Sequence, residues 1–143
     1  MKLLVEAPLN RLSLGNVSYN IIRELQKRGV EIGIFPIGNT DLDAYDPPEE
    51  FKAYLQNAVN RRFDFLSPEI PCLKIWHLNG SENRKNKRQY LLTFYECNRP
   101  TVIEAKLAQA QDITFFCSSE ARNRFEDVGV ETADFAPLGF DED

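Results

Sequence analysis

In the C-terminal third of the chain, helical segments alternate with short apolar runs, and this pattern constrains the fold more than any other feature. Thr101-Val-Ile-Glu104 has the composition of a capping box and follows Pro100, which predicts the start of a helix. The apolar run within 112–119 predicts a strand, and Ser119 can cap a second helix that ends at Gly129. Helix, strand, helix and strand joined by short turns predict a parallel sheet.

The N-terminal part of the chain has the same order of elements. Lys2–Ala7 is a short apolar run that predicts a central buried strand. The turn-rich segment Pro8–Gly15 leads into a predicted helix over Asn16–Arg28, and a second strand is predicted over Val30–Ile37. Strand, glycine loop, helix and strand make one right-handed βαβ unit.

The middle of the chain is predicted to supply one helix and two strands. Asp46-Pro47 indicates a helix start, because aspartate is a good N-cap and proline suits the first helical position. Strands are predicted over Leu73–Leu78 and Tyr90–Tyr95, and the polar segment Asn79–Arg88 between them is predicted to be an exposed loop. The predicted fold class is therefore α/β: residues 1–143 form a single Rossmann-like domain with a mostly parallel sheet flanked by helices.

Composition narrows the class of protein. The 143 residues are 43% hydrophobic and 27% charged, as in an ordinary globular domain. The formal net charge of −5 argues against a nucleic-acid-binding protein, because proteins that follow phosphate backbones carry a basic surplus. The three cysteines lack metal-like spacing, and Cys117 lies in an apolar run where we expect a reduced, buried thiol. A reduced thiol fits a cytoplasmic location. No apolar stretch approaches about 20 residues, so we expect no transmembrane segment, and the first strand begins too early to leave room for a signal peptide.

Candidate functional residues follow the predicted strands, because ligands of open parallel sheets bind beyond the carboxyl ends of the strands. We expect the loops after four strands to converge on one edge of the sheet. The candidate substrate-binding residues are Asn10, Ser13, Gly15, Asn16, Asn79, Tyr95, Ser118 and Ser119, and the candidate catalytic residues are His77 and Glu96.

Each candidate has a functional and a structural interpretation. Ser13-Leu-Gly15 at a helix N-terminus exposes N–H groups that suit a phosphate or sugar oxygen, but a plain strand-to-helix turn also needs glycine. His77 could titrate near neutrality and act as a base or orient a hydroxyl, or it could be a structural histidine beside Trp76. Ser118 and Ser119 are most simply helix caps.

The charged residues also have functional and structural interpretations. Glu96 stands at a strand end, where a carboxylate has few structural reasons to lie. For Glu6, at the end of the first strand, we expect pairing with a basic neighbour. The basic run Arg84–Arg88 could grip an anionic group, although a solvated loop is commoner. A single histidine and scattered carboxylates predict no metal site.

Four segments in order resemble the end of the first domain of GT-B-fold glycosyltransferases of the group 1, family 4-like kind. They are Tyr95-Glu96, the strand 112–119, Phe125-Glu-Asp-Val-Gly-Val130 and Pro137-Leu-Gly-Phe-Asp141. Their order and spacing are similar over roughly a third of the chain. The E-x7-E spacing of Glu96 and Glu104 is set aside, because that signature belongs to the second domain of the family and the capping box explains Glu104.

The resemblance implies a metal-free transfer of sugar from a nucleotide-sugar donor to a sugar-containing acceptor, in a cleft between two Rossmann-like domains. It implies that Glu96 and the glycine loop around Gly15 face that cleft. The donor would be held by a second domain, a partner chain or another copy, so the chain alone is expected to have little activity and no bound cofactor.

An alternative from another class stays open: a small doubly wound module that binds a nucleotide or a flavin, or that regulates, without transfer chemistry. A receiver domain would want an acidic cluster after the first strand and an aspartate after the third, where this chain has Glu6 and His77. A flavodoxin would want a hydroxyl-rich phosphate loop, and 10–15 is poor in hydroxyls.

Overall fold

The structure is a computed structural model that describes residues 1–10, 13–41, 47–95 and 99–136. Six strands form one sheet in the order β2-β1-β3-β4-β5-β6, and every neighbouring pair is parallel. The strands are β1 Lys2–Ala7, β2 Glu31–Pro36, β3 Cys72–Ile75, β4 Gln89–Thr93, β5 Ile113–Phe116 and β6 Ala133–Phe135. The helices are α1 Ser13–Lys27, α2 Glu49–Asn60, α3 Val102–Gln109 and α4 Ser119–Asp127, with a 3₁₀ helix over Arg62–Phe65. The predicted α/β class is confirmed.

α3 and α4 begin with side-chain N-caps, and three helix starts differ from the prediction. α1 begins at Ser13, three residues before the predicted Asn16. α2 begins at Glu49 with Pro48 at its N-cap, while Asp46, the predicted cap, lies outside the described residues. The capping box of Thr101 and Glu104 is confirmed, and it is Ser118 rather than Ser119 that caps α4.

One face of the sheet packs against α1 and α2. Alternate residues of β1 and β2 point to this face because successive side chains of a strand point to opposite sides. Tyr19 and Ile22 of α1 and Leu55 of α2 join them in one core cluster. The strand residues of that cluster include Leu3, Val5, Ala7, Ile32, Ile34 and Ile75.

The opposite face packs against α3, α4 and the 3₁₀ helix. Phe116 of β5 stacks on Phe125 of α4 with ring centroids 4.5 Å apart, and both rings are fully buried. Phe65 of the 3₁₀ helix packs with Leu4 and Cys72. The chain therefore leaves α2 on the first face, passes the β2 edge and crosses the second face before it enters β3.

The connection between β3 and β4 contains no helix in its described residues 76–88. The prediction of a loop here is confirmed, but its exposure holds only in part, because Ser81 and Asn86 are buried. Asn86 Nδ2 donates to the carbonyl oxygens of Phe65 and Ile70, each at 2.9 Å. This loop covers the second face at the place where a crossover helix would otherwise lie.

The absence of a side chain at Gly33 allows the 3₁₀ helix to pack closely against β2. A methyl group at residue 33 would lie 2.8 Å from Cγ of Phe65, inside van der Waals contact. Phe65 is buried, so its ring has little freedom to withdraw.

We expect Gly33→Ala to lower the free energy of unfolding by about 1–3 kcal/mol, as overpacking of a filled core does. In a Phe65→Ala background the same substitution should cost much less, because the clashing ring is absent. Urea unfolding of the four chains of this cycle measures the coupling. Equal costs of Gly33→Ala in both backgrounds would contradict the role given to Phe65.

Candidate functional site

The four candidate segments follow four strands that are neighbours in the sheet. β1, β3, β4 and β5 stand side by side in the strand order, and all run in one direction. Their carboxyl ends therefore meet at one edge, which we call the rim. Neighbouring strands are about 4.8 Å apart, so the rim spans about 14 Å from β1 to β5. Because β2 lies on one side of β1 and β3 on the other, a crevice is expected between β1 and β3.

In the segment after β1, Gly15 packs closely against Asn10. A methyl group at Gly15 would press on the backbone carbonyl of Asn10 and lie 2.6 Å from its side-chain oxygen. The space beside this glycine is thus taken by the chain itself. Ser13 is the first residue of α1, and Asn16 is exposed on its first turn.

The loop after β2 supports the segment after β1. The Asp41 N–H donates to the carbonyl of Leu9 at 2.7 Å, and the Tyr19 hydroxyl donates to the carbonyl of Asp41. Leu9 is fully buried. These contacts fix the segment after β1 against the loop after β2.

The segment after β3 presents two polar side chains to solvent. His77 and Asn79 are exposed, whereas Leu78 between them is buried. The His77 ring meets Trp76 edge-on, with centroids 5.1 Å apart. Gly80 has a φ of 92° and turns the chain back under this segment.

A buried ion pair joins β1 and β3. Lys74 Nζ is 3.3 Å from Glu6 Oε1, and both side chains are almost entirely buried. The same ammonium donates to the carbonyl oxygens of Gly80 at 3.0 Å and Asn83 at 3.1 Å. The expected basic partner of Glu6 is therefore Lys74. Oε2 of Glu6 has no hydrogen-bond partner in the described structure.

A second polar cluster holds the same loop from the β4 side. Gln89 Nε2 donates to the Ser81 carbonyl and to Gln111 Oε1, each at 2.8 Å. All three residues are buried. Arg84 attaches the exposed part of the loop to the segment before β5. Its guanidinium is 3.1 Å from Asp112 and also donates to the Ala110 carbonyl.

Sequence reasoning missed Lys74, Gln89 and Gln111. Part of the signal was present, because Lys74 interrupts a short apolar strand at a position where its side chain faces the core, whereas Gln89 only begins the next strand. A buried cation needs a partner, and Glu6 on the adjacent strand was the available carboxylate.

Tyr95 follows β4 and is engaged with its surroundings. Its hydroxyl is 3.2 Å from Glu104 Oε1, and its ring meets Phe125 edge-on at 4.8 Å. Glu104 also completes the capping box, so this carboxylate has a structural role. Glu96, the second candidate catalytic residue, lies outside the described residues.

The segment after β5 forms a helix cap. Ser118 Oγ accepts from the Ala121 N–H at 3.1 Å, while Ser119 is the first residue of α4 and is exposed. The preceding Cys117 is half-buried rather than buried, and its thiol is free. Burial raises the pKa of Cys117 to about 11 and, with Glu6 nearby, that of Cys72 to about 12.

The described part of the chain comprises residues 1–10, 13–41, 47–95 and 99–136. That part of the chain contains no group of three or more histidine, cysteine or acidic side chains placed to hold a metal ion. It also contains no helix with the length and apolar character to span a membrane.

Comparisons with protein-family models, with curated proteins and with solved structures find no match to this chain.

We expect Lys74→Met to lower the free energy of unfolding by about 3–5 kcal/mol, because it leaves the Glu6 carboxylate buried without its partner. Urea unfolding measures the loss, and amide hydrogen exchange should report faster opening around Ser81. Lys27→Met is the matched control, since Lys27 pairs with Glu24 on the surface and should cost less than about 1 kcal/mol. Similar losses for both variants would sink the claim that Lys74 holds the loop.

We expect Cys117 to react slowly with iodoacetamide in a Cys97→Ser chain. A pKa of about 11 instead of 9.0 leaves about 100-fold less thiolate at pH 8. The rate of Cys117 alkylation should rise about tenfold for each pH unit up to about pH 11, because only the thiolate attacks iodoacetamide. Mass-resolved labelling from pH 7 to 11 provides the profile, and a plateau below pH 9 would contradict the assigned pKa.

Proposed function

We propose that this chain forms the acceptor-side wall of a cleft in which sugar is transferred from a nucleotide-sugar donor to an acceptor hydroxyl. The observation that carries this proposal is the rim: the segments after β1, β3, β4 and β5 follow neighbouring parallel strands. Its length of about 14 Å suits a ligand of one or two sugar rings. The motif resemblance in the C-terminal third gives the reaction class.

In this proposal His77 and Glu96 act on the acceptor hydroxyl. They follow β3 and β4, which are hydrogen-bonded neighbours with Ile75 opposite Leu92. In this proposal the His77 imidazole takes the proton of the acceptor hydroxyl as its oxygen bonds to the anomeric carbon. The bond from that carbon to the nucleotide breaks, and the nucleoside diphosphate leaves with the electron pair.

The remaining candidates position the acceptor. Asn79 beside His77 and Asn16 on the first turn of α1 are exposed amides that can donate and accept hydrogen bonds. The N–H groups at the start of α1, from Ser13, favour an oxygen with partial negative charge. Tyr95 and Ser118 support the rim through Glu104 and the α4 cap.

The donor is assigned to a second wall. A second Rossmann-like domain, a partner chain or another copy would hold the nucleotide, so the isolated chain should have little transferase activity. The reduced thiols of Cys72 and Cys117 suit a cytoplasmic location.

A nucleotide- or flavin-binding module without transfer chemistry is the second candidate function, and the strand order supports it. Flavodoxin-like proteins share the order 2-1-3-4-5 and bind at the crevice between β1 and β3. The helix placement departs from that fold. Right-handed crossovers in that order would put α1 and α2 on opposite faces, whereas here both pack on one face.

The two candidates are separated by titrating the labelled chain with UDP-sugars, GDP-sugars, simple glycosides and FMN, with amide shifts as the readout. We expect simple glycosides to shift the amides of residues 76–79 and 14–16 and FMN to shift none. The nucleotide sugars should bind more weakly than in a complete cleft, because the nucleotide site is assigned to the second wall. His77→Ala should weaken sugar binding about tenfold, whereas Glu31→Ala at the opposite edge of the sheet should leave it unchanged.

Saturable FMN binding at the rim without any sugar binding would favour the second candidate. Rapid sugar transfer by the isolated chain would contradict the need for a second wall. Sugar binding away from the rim would contradict the assigned cleft.

A further inference from the structure

A cluster of aromatic and basic side chains lies at the β2 edge of the sheet, apart from the candidate residues of the rim. Phe35 of β2 and Phe63 of the 3₁₀ helix meet edge-on with centroids 5.5 Å apart. The Arg62 guanidinium is 4.6 Å from the Phe63 centroid and 5.7 Å from that of Phe35. Lys85 Nζ, from the loop between β3 and β4, is 5.0 Å from the Phe35 centroid. We call this cluster, with Leu66, the cationic aromatic patch.

Two large apolar side chains of the patch are exposed to solvent. Phe63 is 62% exposed and Leu66 is 44% exposed, and the Leu66 N–H donates to the carbonyl of Phe63. Large apolar side chains that stay in water beside one another mark an interaction surface more often than isolated ones do.

Positive charge is concentrated around the same side chains. The segments 61–66 and 84–88 contain six basic residues and one acidic residue. Arg84 is paired with Asp112, and the other five basic residues with Asp64 give a formal charge of +4 in a chain whose net charge is −5. Lys85, Lys87 and Arg88 are exposed. The loop that carries them is fixed from below by Asn86, which donates to the carbonyl of Phe65. The fold itself therefore brings the two basic segments together.

We infer that the cationic aromatic patch is a docking surface for anionic lipid headgroups at a membrane interface. Exposed phenylalanine and leucine can enter the boundary between headgroups and acyl chains, while lysine and arginine around them attract anionic lipids. The negative charge of the rest of the chain orients this face toward the bilayer. The inference does not depend on sugar transfer.

A single-stranded nucleic acid is the competing anionic partner, and the contacts favour it less. The Arg62 guanidinium already lies 4.6 Å from the Phe63 centroid, so the aromatic ring is partly engaged. Leu66 offers no stacking surface for a base. Outside the patch the acidic chain would repel a long phosphate backbone.

Flotation of the chain with vesicles tests the inference. We expect binding to phosphatidylcholine vesicles that contain phosphatidylserine, and little binding to phosphatidylcholine alone. Raising the salt from about 0.1 M to about 1 M shortens the Debye length from about 10 Å to about 3 Å and should weaken the binding strongly. Lys85→Gln with Lys87→Gln should weaken it about fivefold for each lysine removed.

The matched control is Lys27→Gln with Arg28→Gln, which removes the same charge from the exposed end of α1 and should leave binding unchanged. Phe63→Ser with Leu66→Ser tests the apolar part and should also lower binding, with circular dichroism confirming that the fold is kept. Absent binding, equal binding to both kinds of vesicle, or equal loss in the control would overturn the inference. Tighter binding to a single-stranded RNA than to anionic vesicles would assign the patch to nucleic acid instead.

Discussion

The rest of the structure depends on the buried ammonium of Lys74. It pairs with Glu6 on the neighbouring strand and holds two backbone carbonyls of the loop that follows β3. Burying an unpaired charge is so unfavourable that this loop must close over the sheet with its carbonyls in place. The ion pair is thus better understood as a specificity device than as a source of stability, because its desolvation offsets much of its attraction.

This constraint explains how a sheet face stays covered without a helix between β3 and β4. The loop over 76–88 has its own polar supports. Gln89 and Gln111 both donate to the Ser81 carbonyl, and Asn86 of the loop donates to the carbonyl of Phe65. Because these supports are side-chain hydrogen bonds, the loop is fixed without helical hydrogen bonds of its own. His77 and Asn79 are then presented at the rim from a firm base, which lowers the entropy cost of binding a ligand there.

The same loop links the two surfaces to which we assign functions. Its first residues stand at the rim, Lys85 contacts the Phe35 ring of β2, and Asn86 donates to the Phe65 carbonyl of the 3₁₀ helix. The placement of α2 beside α1 makes this possible. Since α2 does not cover the second face near β2, the 3₁₀ helix and the basic loop occupy it, with Phe65 against Gly33.

Sequence by itself determined the order and class of the elements, because those signals are local. Apolar runs located the first five strands, and the capping box located α3. Because the candidate residues follow strands, a parallel sheet places them on one rim. The starts of α1 and α2 lie a few residues from their predicted positions.

Tertiary structure alone decided the partners. Glu6 with Lys74, Asn10 against Gly15 and Phe65 over Gly33 join residues that are distant in the chain or separated by a turn, and no local pattern specifies which of several neighbours will meet. The physical reason is that these residues meet in the interior only after the sheet has formed. The free-energy cost of an unpaired buried charge or of a steric clash therefore depends on the folded structure and cannot be derived from the local sequence.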